Sequence, residues 1–566
     1  MSNDSSPAPD DEIDLLVIGA GAAGMTAALV GAIEGLRVVL CEKTEMVGGT
    51  TSTSAGTVWI PGSNQSRNAG IPDSIEDART YLSAIIGTAG DNEHRSAYLV
   101  TGPTVLDYLQ AQTEVKFVPA AAHPDYRTDP GAAYGGRALG AMPFDGRKLG
   151  ADFARVRPPR PEFLVLGGMM VGKADIPALL APFGSIKALL HVVRLLGRQA
   201  IDRLRYPRGT RLIMGNALVA RLLQSLRRRD VPIMFGTSLS GLIVENGKVV
   251  GANLAGPLGQ RNLRIRKGVV LATGGIAWNS QLRARLFPEA AQKFSLSPQL
   301  NTGDGIAAAL QAGANLDKDL QSPALWMPSS VMHRRDGTRS VFPHIMLDRG
   351  KPGLIAVNGF GRRFVNEADS YHDFVTAMLR SDRGVPAYLV CDRSFIRDFG
   401  IGLVHPGMRS LGRFLEAGYL KQGDTVRALA QQIDVDAAAL EEAIARHNRF
   451  ADTGVDEDFG RGSSPLNRFN GDPANLPNPC LRKIGPGPYF AVAVWPADLA
   501  SSAGLGTDQN GCVLDASKRP IEGLYAVGAD AASIFRGTYP GPGTMIGPAM
   551  VFGWRAAMHA AGKLAG

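Results

Sequence analysis

Three glycines and one acid near the start of the chain have the types and spacing that bind the phosphates and ribose of a dinucleotide. Gly19, Gly21 and Gly24 follow the pattern G-x-G-x-x-G. Gly19 permits a tight turn, Gly21 lets the backbone approach a pyrophosphate, and Gly24 lets the next helix pack closely. Glu42 ends the next apolar run and would accept hydrogen bonds from ribose hydroxyls. These residues predict cofactor binding.

The elements around these glycines are the ones that such a site requires. The apolar run Ile13–Ile18 has the length of a buried parallel strand and ends at the first glycine. An alanine-rich helical run follows, and its first turn, at Ala22 and Ala23, offers N–H groups and partial positive charge to phosphates. A glycine-rich structural turn is the alternative, but it explains neither the strand before the glycines nor the acid after them. The pattern therefore predicts a Rossmann-like unit.

Other loops of small residues lie where the same cofactor would be covered. Glycine and hydroxyl side chains dominate the stretch 46–56, and such groups can hydrogen-bond a flat ring system. A flexible surface loop is the other interpretation of this stretch. A buried strand ends in a glycine pair at 274–275, and a strand near the C-terminus ends at Gly528. The predicted cofactor contacts beyond the first turn are Lys43, Gly49, Thr50, Thr51, Ser54, Ala55, Gly56, Gly274, Gly275, Asp304, Gly528, Asp530, Thr544, Met545 and Ile546.

The C-terminal part returns to the strand, glycine and helix pattern of the opening. We therefore expect an α/β fold in which a Rossmann-like cofactor domain is built from both chain ends, with an α+β catalytic domain inserted between them. The predicted parts are a flexible tail at 1–12, the cofactor domain at 13–325, the inserted domain at 326–483 and the rest of the cofactor domain at 484–566. A segment of different composition, at about 155–210, interrupts the first part.

The composition of the 566 residues argues against several classes of protein. Four cysteines without a C-x-x-C pair argue against a disulfide framework, a zinc site and a dithiol relay, so we expect no metal. No run is long and apolar enough to span a bilayer. Residues 1–12 lack the basic start and the apolar core of a signal peptide. The default expectation is a cytoplasmic protein.

The net charge of +8 is concentrated in one segment. Between Phe183 and Arg211 there are seven Lys or Arg residues and one acid, Asp202. Apolar residues recur at helical spacing along 183–205, which predicts a basic amphipathic helix that can lie in a membrane interface. Packing on the protein's own core or on another subunit is the alternative. No nucleic-acid module accompanies the charge, so we expect no nucleic-acid partner.

Several short motifs of the chain occur together in one group of flavoproteins. Besides the opening glycines they are Gly48-Gly49-Thr50, Ala272-Thr273-Gly274-Gly275, Asn301-Thr302-Gly303-Asp304-Gly305, Arg363-Phe364-Val365-Asn366-Glu367 and Gly523-Leu524-Tyr525-Ala526. From about Glu12 to its C-terminus the chain resembles the fumarate reductase-like FAD flavoproteins, and within them the 3-ketosteroid Δ1-dehydrogenases. The resemblance implies that the Rossmann-like domain binds FAD non-covalently. It extends over the segment near 155–210, which only some members of the family carry.

The resemblance also assigns residues to the substrate. Tyr371, four residues after Glu367, falls at the family's catalytic tyrosine, where fumarate reductases place an arginine. Residues 539–543 match the family's Y-P-G-x-G motif, in which the tyrosine hydroxyl and the last glycine N–H hold a 3-keto oxygen. These positions are Tyr539 and Gly543. The resemblance therefore implies that Tyr371 is the base and that the other two residues bind the ketone.

Two further positions bear on the same resemblance. Tyr126 falls where the family has a supporting tyrosine, in an irregular loop that also contains Tyr134. The stretch 498–504 departs from the Gly-rich D-L-G-x-x-G-G run that relatives often have. That departure concerns the local shape of the pocket and not the chemistry.

The chemistry of such an enzyme follows from the position of the ketone. The C2 hydrogen is α to the C3 carbonyl and can leave as a proton once the oxygen is polarised, because two donors stabilise the developing enolate. The C1 hydrogen then leaves as hydride, for which flavin N5 is a suitable acceptor. Free tyrosine has a pKa of about 10, so a tyrosine base needs help from a neighbour, a role for Tyr126.

The resemblance implies steroid degradation with a 3-keto-4-ene steroid as substrate. No second dinucleotide fingerprint is visible, which argues against bound NAD(P) and favours an external acceptor such as a quinone. Three other functions remain open: a 3-ketosteroid Δ4-(5α)-dehydrogenase, a fumarate reductase-like reductase, and a non-enzymatic binding protein on the same fold. The sequence does not predict the oligomeric state.

Overall fold

The computed structural model describes residues 12–90, 92–165, 168–172, 175–257, 259–345 and 348–564. Most of the predicted flexible tail, residues 1–11, lies outside the described residues. The described chain forms two principal β-sheets, of eight and seven strands, and three smaller sheets. The first principal sheet contains the strands next to the predicted cofactor glycines, and the second contains strands of the predicted inserted domain.

The first sheet is Rossmann-like, and both ends of the chain contribute to it. The strand Ile13–Ile18 is parallel to both of its neighbours, and a strand from the C-terminal part of the chain joins the sheet in the same direction. The prediction of an α/β fold built from both chain ends is confirmed. The strands run in the order Ile233–Met234, Val38–Cys41, Ile13–Ile18, Gly259–Leu271, Lys248–Gly256 and Ser238–Glu245. Pro520–Ala526 pairs with Gly259–Leu271, and Cys512–Leu514 pairs with Pro520–Ala526.

Two helices from opposite ends of the chain pack together in this domain. Ala22–Ile33 and Ile546–Ala560 are both largely buried, and small residues dominate their contact. A Cβ on Gly553 would lie 2.7 Å from the carbonyl oxygen of Ala23, so only glycine permits this approach. The close packing brings the C-terminal part of the chain to the glycine turn that follows the first strand.

A hairpin extends the first sheet, and its turn is Asn246-Gly247, a dipeptide typical of two-residue hairpin loops. The strands Ser238–Glu245 and Lys248–Gly256 pair antiparallel around this dipeptide. Asn246 has φ of 51° and Gly247 has φ of 77°, the left-handed values that a type I′ turn requires.

The second sheet forms the inserted domain, but it begins earlier and ends later than 326–483. The long strand Tyr489–Ser501 lies at its centre and not in the cofactor sheet, so the domain boundary differs from the predicted one. An apolar run fits the core of either sheet, and composition does not say which neighbours it will hydrogen-bond. The strand order is Arg339–Pro343, Ala324–His333, Tyr489–Ser501, Ala387–Asp392 and Leu354–Val357, with Phe294–Ser295 and Leu420–Gly423 also paired to the central strand.

The basic segment leaves and re-enters the cofactor domain at one point. Strand Phe144–Asp145 pairs with Arg211–Leu212, so the two ends of the segment lie side by side. Between them runs the predicted helix, Ile186–Arg203, which begins after Ser185, whose hydroxyl accepts a hydrogen bond from the Ala188 N–H. The segment is therefore a compact excursion from the cofactor domain.

The remaining elements connect and cover these sheets. Short strands pair as Thr57–Trp59, Ala138–Ala141 and Phe117–Pro119, and as Leu164–Val165 with Met169–Met170. The other α-helices of the described residues are Asn64–Asn68, Ile75–Ile86, Asn92–Gln112, Ile176–Leu180, Met214–Arg228, Ser280–Leu286, Asp304–Gln311, Tyr371–Arg380, Arg393–Asp398, Gly412–Glu416, Val426–Ile433, Ala437–Thr453 and Pro465–Asn470.

Candidate active site

In the predicted pyrophosphate turn, two glycines pack against other backbone atoms and the third faces open space. Gly19 has φ of +105°, and a Cβ there would lie 2.2 Å from the carbonyl oxygen of Ala272. A Cβ on Gly24 would lie 1.9 Å from the carbonyl oxygen of Gly19, so the helix packs on the strand only with glycine here. A Cβ on Gly21 would meet no atom within 4 Å. The open space in front of Gly21 is where a ligand can reach the backbone.

Glu42, the predicted ribose acid, is oriented by its own loop. One carboxylate oxygen accepts a hydrogen bond from the Ala20 N–H at 3.1 Å. The other accepts from the Thr44 N–H at 3.0 Å and from the Thr44 hydroxyl at 2.9 Å. The carboxylate is therefore fixed at the end of strand Val38–Cys41, next to the strand that leads into the glycine turn.

Two predicted cofactor contacts, Lys43 and Asp304, pair with each other. The Lys43 ammonium lies 2.8 Å from the Asp304 carboxylate and 2.8 Å from the Thr302 hydroxyl. The pair joins the first strand-turn unit to the helix Asp304–Gln311 across the cofactor domain. This ion pair is partly buried and joins the two loops.

The hydroxyl-rich stretch divides into a part that faces the glycine turn and a part that does not. Thr51 accepts a hydrogen bond from the Ala22 N–H at 3.1 Å, and Thr50 accepts one from the Asn301 amide at 2.9 Å. Ser54 and Gly56 instead bond within the loop and against the helix Met214–Arg228, and Ala55 is exposed.

The second glycine pair and the C-terminal strand meet at the same place. Gly275 donates its N–H to the Asp530 carboxylate at 2.9 Å, and the Thr273 hydroxyl donates to the same group. These bonds occupy the Asp530 carboxylate, and its carbonyl oxygen accepts a hydrogen bond from the Leu505 N–H at 2.8 Å. A Cβ on Gly528 would lie 3.0 Å from the Cβ of Ala23, which places this strand end against the first helical turn.

The last predicted cofactor residues begin the helix Ile546–Ala560. Thr544 is buried, whereas Met545 and Ile546 are half-buried. Gly543 precedes them with φ of +101°, and its carbonyl oxygen accepts a hydrogen bond from the Gly547 N–H at 2.9 Å. Gly274 lies against Asn301, which also holds Thr50, so these loops form one continuous site with the glycine turn.

Three tyrosines predicted to act on the substrate meet in the structure. The hydroxyl oxygens of Tyr126 and Tyr371 are 2.9 Å apart. The Tyr539 ring stacks on Tyr126 with centroids 5.3 Å apart and meets Tyr371 edge-on at 5.1 Å. Tyr134, the other tyrosine of the irregular loop, is 76% exposed and does not join them. The contact with Tyr371 therefore favours Tyr126 of the two as the supporting tyrosine.

A buried charge network holds the loop of Tyr126. The Asp125 carboxylate accepts hydrogen bonds from the Trp59 indole at 2.8 Å and from Arg137 at 2.7 Å. Arg137 also pairs with Asp73 at 2.9 Å. The Tyr126 N–H donates to the carbonyl oxygen of Pro540 at 2.8 Å, which ties this loop to the residue after Tyr539. These bonds explain why an irregular loop presents Tyr126 in a fixed position.

Tyr371 is the first residue of the helix Tyr371–Arg380. Ser370 caps this helix, since its hydroxyl oxygen accepts a hydrogen bond from the Asp373 N–H at 3.1 Å. His372 then accepts a hydrogen bond at Nδ1 from the Trp326 N–H at 3.2 Å. Burial lowers the pKa of His372 to about 4, which keeps the ring neutral and able to accept. The helix start is thus fixed to the second sheet.

An apolar cluster packs around the tyrosines. Strands of the second sheet supply much of it, including Met327 and Val331 from Ala324–His333. The other apolar members are Phe294, Leu296, Val341, Ile345, Leu466, Trp495, Ala497 and Leu499. The hydroxyls of the tyrosines are therefore the polar groups of an otherwise hydrophobic wall.

Burial raises the pKa of all three phenols above the ordinary value of a tyrosine. Around Tyr371, the neighbouring phenols of Tyr126 and Tyr539 add to the effect of burial. Around Tyr126, the hydrogen bond with Tyr371 and the cation of Arg349 act in the opposite direction. A phenol in this site is a proton donor unless a positive charge stabilises its ionised form.

Comparison with known proteins identifies the family. A family model described as an FAD binding domain matches residues 14–546. The chain is 37% identical over 572 residues to the 3-oxosteroid 1-dehydrogenase of Mycobacterium tuberculosis, covering 97% of this chain and 98% of that protein. The chain belongs to the FAD-binding family of the 3-ketosteroid Δ1-dehydrogenases. The predicted resemblance is confirmed.

The chain is also similar to two other proteins. The structure of the 3-ketosteroid Δ1-dehydrogenase from Sterolibacterium denitrificans, in complex with 1,4-androstadiene-3,17-dione, aligns with a TM-score of 0.91 and 36% identity, covering 98% of this chain and 100% of that one. The 4-oxocyclohex-2-ene-1-carboxylate 5-dehydrogenase of Sinomonas cyclohexanicum is 38% identical over 550 residues, covering 96% of this chain and 92% of that protein.

FAD is the cofactor of this FAD-binding protein, and the described residues fit it. A Cβ on Gly21 or on Gly49 would enter open space, so both backbones can be approached. Within the described part of the chain, the Ser52 hydroxyl of the same loop is buried and has no hydrogen-bond partner. Glu42 stands fixed at the strand end where an adenosine ribose is expected. An open backbone cradle with hydroxyls and one acid suits a dinucleotide.

Sequence reasoning missed the charges that support the tyrosines. It named neither the Asp125–Arg137 pair behind Tyr126 nor the buried cation of Arg349. Glu367 was noted only as part of a motif, yet it is fully buried and pairs with Arg363 at 2.8 Å and Arg461 at 3.1 Å. The Arg363-to-Glu367 spacing was visible in the sequence, but Arg461 and Arg349 give no local signal.

Proposed function

We propose that this protein is an FAD-dependent 3-ketosteroid 1-dehydrogenase of steroid degradation, which forms a C1–C2 double bond. The observation that carries the proposal is the meeting of Tyr126, Tyr371 and Tyr539 within one apolar cluster. A flat hydrocarbon skeleton with a single ketone matches such a wall, because its rings pack on apolar side chains and its oxygen needs few polar partners.

The ketone end of the substrate is assigned to Tyr539 and Gly543. The Tyr539 hydroxyl and the Gly543 N–H are donors, and a 3-keto oxygen between them would be polarised and, as an enolate, stabilised. Gly543 has φ of +101°, and a Cβ there would lie 2.6 Å from the carbonyl carbon of Val58. Glycine is therefore required at this position for the turn that presents the N–H group.

The C2 proton is assigned to Tyr371. Its hydroxyl oxygen lies 2.9 Å from that of Tyr126, so the two phenols share a hydrogen bond that can stabilise charge on Tyr371 or pass its proton onward. FAD supplies, when bound, the acceptor for the electrons that leave with the C1 hydrogen. The protein groups act on the other hydrogen and on the ketone, so each half of the reaction has its own residues.

Incubation of the purified holoenzyme with androst-4-ene-3,17-dione and an artificial electron acceptor tests this function. The expected product is the Δ1,4-dienone, lighter by two hydrogens. A 5α-reduced 3-ketosteroid given in parallel distinguishes the position of the new double bond, since a Δ4-(5α)-dehydrogenase would return the 4-ene. Absence of any dehydrogenated steroid from the flavin-loaded enzyme would contradict the proposal.

A cyclohexenone carboxylate, the compound named in the Sinomonas relative, is the competing substrate class. A carboxylate needs a cation in reach, and two guanidinium groups beside the cluster, those of Arg160 and Arg349, both donate to backbone carbonyl oxygens. Arg160 donates to the carbonyl oxygens of Leu296 at 3.0 Å and Val341 at 2.8 Å. These contacts favour the steroid. A higher kcat/KM for 4-oxocyclohex-2-ene-1-carboxylate than for androst-4-ene-3,17-dione would reverse this preference.

The proposed electron acceptor is an external compound of the quinone class. The chain carries one dinucleotide fingerprint, which FAD takes, so it offers no second site of that kind for NAD(P). Reoxidation of the steroid-reduced enzyme by a soluble menaquinone analogue is expected to be faster than by NAD⁺. Equal reoxidation by NAD⁺ would contradict this assignment.

We also propose that the helix Ile186–Arg203 contacts an anionic membrane surface, at the inner face of the cell membrane. Its inner side, with Leu195, Gln199 and Asp202, is buried in the protein. Its opposite side carries an apolar stripe that includes Ile186, 79% exposed. The rest of the stripe and its ends are Phe183, Leu190, Val193, Ile201 and Leu204, all exposed.

The charges beside this stripe suit anionic headgroups. Lys187, Arg194, Arg203 and Arg205 are exposed around it. Since the stripe points away from the domain that the helix packs on, burial in the protein's own core is not its role. No helix in the described part of the chain reaches the length and hydropathy that crossing a bilayer requires. An interfacial contact needs only an apolar face and flanking cations.

Flotation with vesicles tests the membrane contact. The full-length holoenzyme is expected to float with phosphatidylglycerol vesicles, and Ile186→Asp/Val193→Asp is expected to lose this binding while keeping its turnover. Val118→Asp, at an apolar position that is 52% exposed on the strand Phe117–Pro119, serves as the control. Unchanged flotation of the double variant would contradict the proposal. So would a wild-type protein that binds no vesicles but forms a dimer that the double substitution dissociates.

A further inference from the structure

One buried cation, Arg349, lies close to the tyrosines, and no carboxylate of the described residues forms a direct ion pair with its guanidinium. Arg349 is 1% exposed. Its Nε donates to the carbonyl oxygen of His344 at 2.9 Å, and its Nη1 donates to the carbonyl oxygen of Glu367 at 2.6 Å. Both bonds go to backbone oxygens, which fix the guanidinium without cancelling its charge. Such an arrangement is costly in a protein core unless another group needs the charge.

The guanidinium is placed against the segment that carries Tyr371. It donates a hydrogen bond to the carbonyl oxygen of Glu367, four residues before Tyr371. The guanidinium carbon lies 5.4 Å from the ring centroid of Phe374, one helical turn after Tyr371. Arg349 therefore touches both sides of the helix start. Its charge also interacts with the phenols of Tyr126 and Tyr371.

The nearest acids do not cancel this charge by direct pairing. Asp348 is hydrogen-bonded to the His344 ring at 2.6 Å and to the Gly402 N–H at 2.9 Å. The Glu367 carboxylate pairs with Arg363 and Arg461 instead, and although burial opposes it, those cations hold the pKa of Glu367 at about 2. Each neighbouring acid thus has its own partners.

We propose that Arg349 is a positioning residue for the dehydrogenation: its cation braces the helix start of Tyr371 and stabilises the phenolate that forms on the Tyr126–Tyr371 pair. This inference rests on the proposed role of Tyr371 as base. The helix Tyr371–Arg380 adds to the effect, since Tyr371 lies at the positive end of its dipole. Together the cation and the helix dipole supply the stabilisation of the phenolate that burial removes, because a buried phenol ionises only beside positive charge.

The titratable groups around the Tyr126–Tyr371 pair include groups that stabilise a phenolate and groups that destabilise it. Burial lowers the pKa of Arg349 to about 10, which leaves it cationic at neutral pH. Burial raises the pKa of Asp369 to about 6, so this acid is ionised above that pH and opposes the cation. The remaining groups that face the tyrosines or the start of their helix are Tyr539, His123, His372, Asp373 and Arg127.

The pH profile of kcat/KM tests the role of the charge. The profile of the wild type rises as the base ionises, and its midpoint reports the pKa of the pair. Arg349→Gln keeps hydrogen-bond donors for the two carbonyl oxygens but removes the cation. The midpoint is expected to rise by about one to three pH units, so activity falls about tenfold per unit below it and recovers at high pH.

Arg349→Lys is the matched control, because it keeps a cation on a different side chain. Its midpoint is expected to stay near that of the wild type. A loss of activity by Arg349→Gln that is equal at every pH would overturn the proposal, since damage to the packing alone reduces kcat without moving the midpoint.

A second variant decides the question if Arg349→Gln fails to fold. Asp369→Asn removes the opposing negative charge and keeps a partner for the Asn467 amide, which lies 2.8 Å from this side chain. The midpoint is expected to fall by a measurable fraction of a pH unit. An unchanged or raised midpoint would count against a role for the Arg349 charge.

A titration without turnover separates this inference from the proposed function. Phenolate absorbance is followed against pH in the flavin-loaded Arg349 variants, each compared with a Tyr371→Phe version of itself. The difference is expected to titrate at higher pH in Arg349→Gln than in Arg349→Lys. An enzyme without steroid turnover would contradict the proposed function, and this titration would still support or overturn the effect of Arg349 on the pair.

Discussion

The two sides of the active site are built in different ways. The proposed FAD side uses backbone geometry within short stretches, with the turn from Gly19 to Gly24 and Glu42 as its centre. The proposed substrate side uses side chains from three distant segments, since Tyr126, Tyr371 and Tyr539 meet only in the folded chain. Cofactor recognition can therefore be predicted from a local motif, whereas the chemistry on the steroid depends on tertiary packing.

The largest expected effect comes from removing the base on the substrate side. Tyr371→Phe is expected to lower kcat by about 10²- to 10⁴-fold, the contribution typical of a general base, while FAD remains bound. Steady-state turnover and flavin absorbance measure the two effects. Tyr134→Phe, which changes the exposed tyrosine of the Tyr126 loop, is the control and is expected to behave as wild type. Activity within a few-fold of wild type in Tyr371→Phe would break the comparison.

On the FAD side, the same added methyl group is expected to act differently at two glycines. Gly24→Ala places a Cβ 1.9 Å from the Gly19 carbonyl oxygen, so it is expected to destabilise the protein and to abolish FAD binding. Gly21→Ala meets open space and is expected to weaken FAD binding without lowering the stability of the apoprotein. Thermal unfolding of both apoproteins checks this contrast. Equal unfolding midpoints would show that the turn is not packed as described.

A smaller effect is expected at the partner of the base. Tyr126→Phe removes the hydroxyl that lies 2.9 Å from Tyr371 but keeps the ring stacked on Tyr539. Turnover is expected to fall by about ten- to a hundredfold, because a hydrogen bond to a charged group contributes about 1.5–3 kcal/mol. The pH midpoint of kcat/KM is expected to rise, since the phenolate loses a donor. A lower midpoint would assign Tyr126 another role.

The smallest expected effect is on the FAD side and tests the role of Glu42. Glu42→Gln keeps the shape of the side chain but removes its charge, and the Kd for FAD is expected to rise about tenfold. Fluorescence titration of the apoprotein with FAD measures this change. Glu45→Gln, a change of the same kind at an exposed side chain nearby, is the control. A Kd unchanged by Glu42→Gln would mean that the acid orients its loop rather than the ribose.

The same contrast explains what the sequence could predict. The glycine turn, the acid after it and the hairpin at Asn246-Gly247 depend on residues close in sequence, and the structure has all three. The domain boundary at 483 depended on composition, which did not reveal that Tyr489–Ser501 pairs within the second sheet.

The substrate side was reached only through the resemblance. No spacing in the sequence brings Tyr126 to Tyr371, and it is the burial of Tyr126 and the exposure of Tyr134 that favour Tyr126. The sequence also did not predict which side of the amphipathic helix packs on the protein, because periodicity defines an apolar stripe but not what that stripe contacts. Arg349 carries no motif at all, and its position follows from the fold alone.

The most direct test of the account follows the flavin during a single turnover. Androst-4-ene-3,17-dione is mixed without an acceptor into wild-type holoenzyme and into Tyr371→Phe loaded with the same amount of FAD. The account predicts that the wild type bleaches and releases the Δ1,4-dienone, whereas Tyr371→Phe binds the steroid and stays oxidised. Bleaching of the variant at the wild-type rate would contradict the claim that a phenol of the inserted domain takes the C2 proton.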